Sequence, residues 1–379
     1  MTTARSWVWL VATALLLMNG CAIHHTMARE APGGWCPRRA ESADHRFSPP
    51  GVDRSEGPEI TWYGHPSQKD RESNSAWCEA AGPPTIIPAP HPGLLDVHAD
   101  TLTVLTWNTW VGGGDLKTLL RTELGLVCGE GGPVREPGFQ PFVLLLQEVH
   151  QRSTLVPEVP PDAPVPWRVG ALERPADATD LVDVARACGL ALAYVPSARN
   201  GPESDGPFGE DKGNAILSSL PLRDVVAVEL PFEAGRKVAV GAEIEIPGSA
   251  VPLVAVSVHL DVASTLVRTL KTGNRTRERQ VEGLLEAMEL HGWSSGPSVV
   301  GGDFNTWSSR DAALKAMRRS FPDSPPMTRE TTRGPFPADH LFFRADSAGR
   351  FSLVPSTYRV LSSRYSSDHQ ARIFRIAVR

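Results

Sequence analysis

The chain has 379 residues, 41% of them apolar and 21% charged, with 34 Pro and 33 Gly. This composition suits a globular protein with ample core and many loops, and the length allows one large domain or two ordinary ones. The formal net charge of −5 excludes the global basic field that marks many nucleic-acid binders, although a local patch is enough for such a substrate.

The N-terminus reads "MTTARSWVWLVATALLLMNGCA", one Arg followed by an apolar run from Trp7 to Met18. That run is short of the ~20 residues of a membrane span and suits the apolar region of an export signal. Gly20-Cys21 follows, which resembles a bacterial lipoprotein signal with Cys21 as the lipidated residue. Met18 and Asn19 depart from the usual aliphatic and small residues there. An ordinary signal peptide cut nearby and an uncleaved anchor are the other readings. The expectation is an exported chain, lipid-anchored in the cell envelope through Cys21 or secreted.

Cys36, Cys78, Cys128 and Cys188 remain. An even set in an exported chain allows two disulfides, with three connectivities. Closeness in the chain favours Cys36–Cys78 and Cys128–Cys188. Cys188 also follows Leu181, Val184 and Ala185 at helical spacing, so plain core packing is its other reading. There is no C-x-x-C and no zinc-type Cys/His spacing.

Residues 21–98 are rich in Pro, Gly, Ser and charge, as in "HRFSPPGVDRSEGPE" and "AAGPPTIIPAPHPG". They read as a tether and a partly ordered extension. "ITWYG" and "SAWCEAAGPP" carry enough Trp and Cys to pack on something. The division is thus 1–20 signal, 21–98 extension and 99–379 a single domain.

From Thr101 the pattern changes to recurrent β-type runs: "TLTVLTW", "FVLLL", "LALAYV", "NAILSS", "VVAVELPF", "KVAVGAEIEI", "PLVAVSVHL", "PSVVGG", "HLFFR" and "ARIFRIAV". Helical periodicity appears in "GDLKTLLRTELGLV", "DLVDVARACGLA" and, most clearly, "RERQVEGLLEAMELHGW". Several runs are joined by short turns, which predicts antiparallel pairing. Two packed sheets with helices outside fit better than a doubly wound parallel sheet.

The ends of these runs carry the chemistry. "TLTVLTW" ends in Asn108, "FVLLL" in Gln147-Glu148, "PLVAVSV" in His259 and "PSVV" in Gly-Gly-Asp303-Phe-Asn305. "HLFF" is preceded by Asp339, and "QARIF" by Asp368-His369. On a strand, residues i and i+2 share a face, so Asp303 and Asn305 can address one point. Any one of these is ordinarily a turn or cap residue. Together they supply carboxylates, amides and imidazoles at strand ends, the set that metal-assisted phosphoester hydrolysis needs.

In order, Thr106-Trp-Asn108, Leu146-Gln-Glu148, Gly213-Asn-Ala-Ile-Leu-Ser218, Ser257-Val-His259, Gly302-Asp-Phe-Asn305, Asp339-His340 and Ser367-Asp-His369 resemble the endonuclease/exonuclease/phosphatase superfamily with its deoxyribonuclease I-like fold. The resemblance covers nearly all of 101–379, and Gly-Asp-Phe-Asn and Ser-Asp-His are its most specific pieces. It implies an α/β four-layer α/β/β/α sandwich of two packed mixed, largely antiparallel sheets, with the site at one edge. It makes Glu148 the main Mg²⁺ ligand (Mn²⁺ or Ca²⁺ being alternatives), with Asn108 and Asp368 close to the metal or its water. Oxygen ligands agree with a hard cation. Asp303 would orient or deprotonate the attacking water and Asn305 hold a phosphate oxygen. His369 would contact the phosphoryl group, oriented by Asp339. His259 would be a second acid or phosphate ligand, and Asn214 a weaker phosphate contact.

The expected substrate is a phosphodiester, nucleic acid or phospholipid headgroup, cut by a monomeric enzyme. Nuclease-like action leads. The alternatives are sphingomyelinase or phospholipase C-like action, an inositol-phosphate phosphatase, or a non-catalytic module on the same fold. The basic run with Arg268, Lys271, Arg275, Arg277 and Arg279 reads equally as a polyanion grip or as a solvated loop and helix start. The loop Ser197–Ala215 reads as a substrate-shaping segment or plain surface. Trp107, Trp110 and Trp307 flank site residues, where core or rim packing is the simpler role. "VGGGDL" reads as a loop into a helix. Motifs of serine hydrolases, zinc proteases and P-loop proteins are absent.

Overall fold

Apolar alternation and continuous apolar runs build two large sheets. A computed structural model describes residues 27–30, 41–42, 59–95, 100–129, 131–157, 178–200, 209–262, 274–327, 330 and 332–379. The export segment, Cys21, Cys36, Arg268 and Lys271 lie outside them. The seven-stranded sheet runs β1 (Ala28–Glu30), β3 (Thr61–Gly64), β11 (Leu222–Glu229), β12 (Val238–Ile244), β13 (Leu253–His259), β14 (Ser298–Asp303), β15 (Asp339–Arg344). The eight-stranded sheet runs β16 (Phe351–Val360), β17 (Arg372–Val378), β5 (Thr101–Asn108), β8 (Phe142–Ser153), β10 (Gly209–Ser218), β9 (Ala191–Arg199), β4 (Thr85–Ile87), β2 (Glu41–Ser42). A small hairpin joins β6 (Leu126–Val127) to β7 (Val134–Arg135). Most pairings are antiparallel. The parallel ones are β3 with β11, β13 with β14, β5 with β8 and β2 with β4.

Three buried clusters define the layers. One lies between the sheets, with Val104, Val143, Leu145, Ile216, Val240, Ala255, Val299 and Phe374. A second packs the outer face of the eight-stranded sheet against α2 (Leu116–Leu124) and α3 (Leu181–Ala187). The third packs the seven-stranded sheet against α4 (Asn274–Leu290) and α5 (Ala312–Ser320). The expected four-layer α/β/β/α arrangement is what these clusters make.

Local sequence explains the helices. Asp115 caps α2 by accepting from Thr118 N–H at 3.0 Å, and Leu116, Leu119, Leu120 and Leu124 recur on the buried face. Gly125 ends it at φ 66, a left-handed cap that glycine adopts without strain. "VGGGDL" is thus the lead-in to a helix. In α4, Val281, Leu284 and Met288 face the sheet. Asp311 caps α5 and also takes the buried Arg277 guanidinium at 2.7 Å.

That pairing decides part of the basic run. Arg277 is a core ion-pair residue, and Arg279 is held by Glu233 and Asp70. Neither is a substrate grip. Among the described residues, no helix is long and apolar enough to cross a membrane.

The Pro/Gly-rich stretch before Thr101 contributes β3 to one sheet and β4 to the other. Between them, α1 (Gln68–Glu79) is capped by Ser67, whose Oγ accepts from Asp70 N–H. Asp70 in turn accepts from Phe232 N–H. Cys128 and Cys188 form a disulfide, and Cys188 is also fully buried in the outer core, so both readings of it hold. Cys78 is disulfide-bonded too.

Candidate active site

The site collects at the ends of β5, β13 and β14, the start of β15 and the middle of β8, which runs on past Glu148 to Ser153 instead of stopping where its apolar run does. His259 is in register with Asp303, Asp303 with Asp339, and Asn108 with Gln147. The two sheets are tied behind it by polar struts. Gln147 Nε2 donates to Ser257 Oγ at 2.9 Å, and Ser257 Oγ donates to Leu146 O at 2.9 Å. Ser367 Oγ donates to Asn108 O at 2.7 Å and accepts from His369 N–H at 3.0 Å. Trp107, fully buried, donates Nε1–H to His369 O at 3.2 Å. It is a core residue that fixes the segment carrying the histidine.

Glu148 owes its place to a bulge. Gly213 pairs with Val149 and Ala215 with Leu146, so Gln147 and Glu148 both stand opposite Asn214. An extra residue re-aims the side chain beside it. Glu148 sits at φ 50, a conformation that a non-glycine residue holds only when its surroundings impose it. On its other side β10 slips register against β9 at Lys212/Gly213, and glycine is needed there because a Cβ would lie 2.1 Å from Val195 O.

Asp303 is enclosed and well partnered. Its Oδ2 accepts from Asn108 Nδ2 at 3.0 Å and its Oδ1 from Asn305 N–H at 2.8 Å. Burial, then the charge of Asp339, push its carboxyl up to about 6, against the pull of His369. Asn305 sits at φ 49, a region asparagine tolerates. Its Nδ2 donates to Leu260 O at 2.9 Å and lies 3.1 Å from His259 Nε2.

His369 Nδ1 lies 2.7 Å from Asp339 Oδ2, and its Nε2 is 3.8 Å from Asp303 Oδ2 and 3.8 Å from Asp368 Oδ1. Burial lowers this imidazole, but Asp339 and Asp303 outweigh it and raise the group to about 9. At neutral pH it is an imidazolium, both nitrogens donating. His259 behaves oppositely. Burial and the nearby Lys237 push it well below 6.5, so it is a neutral imidazole suited to holding an oxygen rather than supplying a proton.

Glu148 has its carboxylate 3.9 Å from His259 Nδ1 and, among the described residues, accepts no hydrogen bond. Burial raises it, but Lys212, His259, Lys237 and His369 prevail and hold it at about 2. An ionised, largely enclosed carboxylate without a donor fits a cation. Asp303, Asp339 and His369 also bring ligand atoms within 4.8 Å of one another. Both Asp303 oxygens, Asp339 Oδ2 and His369 Nδ1, however, already serve the hydrogen bonds above, which suits proton handling better than metal ligation.

Not every expected residue is in the cluster's centre. Asp368 lies next to His369, yet its carboxylate is 3.2 Å from Arg333 Nη2 and its side chain is 34% exposed. Asn214 donates Nδ2–H to Val238 O at 2.7 Å, which ties β10 to β12, while still lining the same cavity as Glu148. Trp307 is half exposed and stacks on Phe336, ring centroids 4.9 Å apart, at the rim. The cavity also contains residues that the sequence reading did not single out, Lys212, Lys237, Trp77 and Arg333. Lys212 precedes Gly213-Asn214 directly, which is the one signal that pointed to it.

The Asp339–His369 assignment has a direct consequence. Asp339→Ala and His369→Ala should each lower kcat, and the double variant should be little worse than His369→Ala alone. Groups that act as one unit are strongly non-additive. A double-mutant cycle whose effects simply multiply would show that they are not partners.

Residues 105–369 match the profile of the Endonuclease/Exonuclease/phosphatase family. The match spans well over half of the chain, and the chain belongs to that family. No curated protein matches it. Among solved structures, an endonuclease/exonuclease/phosphatase from Beutenbergia cavernae is 19% identical, with 73% of this chain and 72% of that one covered and a TM-score of 0.46. The human Nocturnin catalytic domain with bound sulfate is 14% identical, covering 74% and 96%, at a TM-score of 0.47. Sphingomyelinase C from Streptomyces griseocarneus is 17% identical, covering 72% and 98%, at 0.42.

Proposed function

We propose that this protein is an exported, divalent-metal-dependent phosphoesterase that hydrolyses phosphodiester bonds in a nuclease-like manner. One observation carries the reading. A carboxylate raised toward neutrality, Asp303, and a protonated imidazole, His369, sit 3.8 Å apart beside the ionised and unpartnered Glu148. Opposed protonation states are what a base and an acid need at one centre.

Glu148, with Asn108 and Asp368, would hold the cation, and Mg²⁺ suits their oxygen donors. When bound, the cation polarises a phosphoryl oxygen and neutralises developing charge. Asp303 takes the proton of the attacking water. Asn108 and the Asn305 N–H fix its two oxygens in place. His369, held by Asp339, donates Nε2–H to the phosphoryl group. Asn305 and neutral His259 steady another phosphoryl oxygen. A panel of plasmid DNA, RNA, sphingomyelin, phosphatidylcholine and inositol phosphates with Mg²⁺ tests the reading, and no turnover of any phosphodiester would end it.

The pH dependence follows from the two groups. Asp303 works deprotonated, so kcat/KM should rise as pH climbs through about 6. His369 works protonated, so the rate should fall as pH passes about 9. A bell between those limits is expected. A rate that keeps rising above the upper limit would remove His369 from this role.

Export rests on the Trp7–Met18 run and Gly20-Cys21. The Cys128–Cys188 disulfide supports it, since such bonds persist in oxidising compartments. The mature chain should begin at Cys21 and partition into detergent with the membrane fraction, and Cys21→Ser should release it. A different mature N-terminus with soluble behaviour in both forms would contradict the lipid anchor.

A further inference from the structure

Beside the reaction centre lies a cavity of about 300 Å³ whose wall continues from Glu148, His259 and Asn305 onto Lys212, Lys237 and Trp77. The other cations near it are engaged. Arg236 is locked to buried Glu229, and Arg333 pairs with Asp368. Lys212 and Lys237 are different, because among the described residues neither has an ion-pair partner. Both are half-buried and both act on Glu148. Asp261 also faces Lys237, but its Oδ2 already accepts from Ala234 N–H at 3.1 Å and Gln280 Nε2 at 3.3 Å. Two ammonium groups thus stand beside the centre, facing Glu148 and, for Lys237, Asp261, but in ion-pair contact with neither.

Trp77 comes from α1, far from the other site residues in sequence. Its ring lies along the Gly235 turn, where a Cβ would sit 3.4 Å from Trp77 Cη2. The helix carrying it is anchored by Asp70 on Phe232 N–H at 3.2 Å and by the disulfide at Cys78. An aromatic ring held next to two unpaired cations offers a stacking face and an anion grip together.

Resting on the phosphodiesterase reading above, we propose that Lys212, Lys237 and Trp77 form a substrate subsite for single-stranded nucleic acid, the lysines gripping a phosphate next to the scissile one and Trp77 stacking on an unpaired base. The same charges oppose a choline headgroup, which seeks aromatic faces and acids rather than ammonium groups.

The test is binding of a fluorescein-labelled single-stranded oligonucleotide to the full chain in excess chelator, read by anisotropy over a salt series. Lys212→Gln and Lys237→Gln should each weaken binding roughly tenfold at low salt and flatten the slope of log K against log salt by about 0.7, the share of one phosphate contact. Trp77→Ala should weaken binding roughly tenfold with the slope unchanged, since stacking carries no counterion release. Lys→Arg at either position should keep the slope, which separates lost charge from a disturbed fold.

Wild-type affinity and slope in both Gln variants would overturn the subsite, as would no binding by the wild type. So would faster Mg²⁺-dependent hydrolysis of sphingomyelin vesicles than of the oligonucleotide. If the wild type hydrolyses the oligonucleotide while the Gln variants bind it unchanged, the subsite falls and the phosphodiesterase reading stands. If it hydrolyses no phosphodiester at all, both fall.

Discussion

Asp303→Asn should lower kcat on a phosphodiester by roughly 10²–10⁴-fold, the scale of a lost general base. The carboxylate is 1% exposed and lies between the Asn108 amide, the Asn305 N–H and the His369 imidazolium. Nothing else in that enclosure is as good a base near neutral pH, since burial and the charge of Lys237 depress the basicity of His259, whose Nε2 already faces Asn305 Nδ2 at 3.1 Å. An amide keeps the shape but not the basicity. It also offers only one acceptor where Asp303 uses two, which leaves a buried donor unmet at about 1–3 kcal/mol. The melting temperature should therefore fall modestly while the rate collapses. Near-normal kcat would remove Asp303 from the chemistry.

Glu148→Gln should be of similar severity, through binding rather than proton transfer. The side chain keeps its volume and the bulge that aims it, and loses only its charge. That charge is the one anion facing Lys212, Lys237, His259 and His369 that takes no hydrogen bond. Losing it removes the principal anionic ligand, and several kcal/mol of transition-state stabilisation go with the metal. The Mg²⁺ concentration for half-maximal activity should rise sharply and kcat/KM fall. An unchanged metal titration would show that Glu148 does not hold the cation.

The strand ends were legible because apolar runs mark buried strands and stop where polarity begins. Asn108, His259, Asp303 and Asp339 stand at such stops, whereas β8 runs on past Glu148 to Ser153 and carries it mid-strand; the sheets bring all five together. The bulge at Gln147-Glu148 was not legible, because it depends on register with β10 more than sixty residues away. The sequence also presents Asp303 as an uncompensated carboxylate, whereas its partners arrive from β5 and from its own turn.

β16 escaped notice for a physical reason. It is an edge strand with Pro355 inside it, mostly half-buried rather than core, and it slips register between Val354 and Arg359. α5 was not among the predicted helices, although Ala313, Leu314, Ala316 and Met317 form its buried face. Arg277 looked like one of a basic run, and only the fold brings Asp311 to it. Trp77 and the strands β3 and β4 lie in Pro-rich sequence whose partners are far along the chain, so local patterns could not place them.

Hydrolysis of bis(para-nitrophenyl) phosphate by the purified chain, first in excess chelator and then with Mg²⁺ restored, tests the central claim most directly. The expected result is no turnover in chelator, full recovery with Mg²⁺ in the wild type, and no recovery in Glu148→Gln. Undiminished turnover in chelator, or equal recovery in the variant, would contradict a metal-dependent phosphodiesterase centred on Glu148.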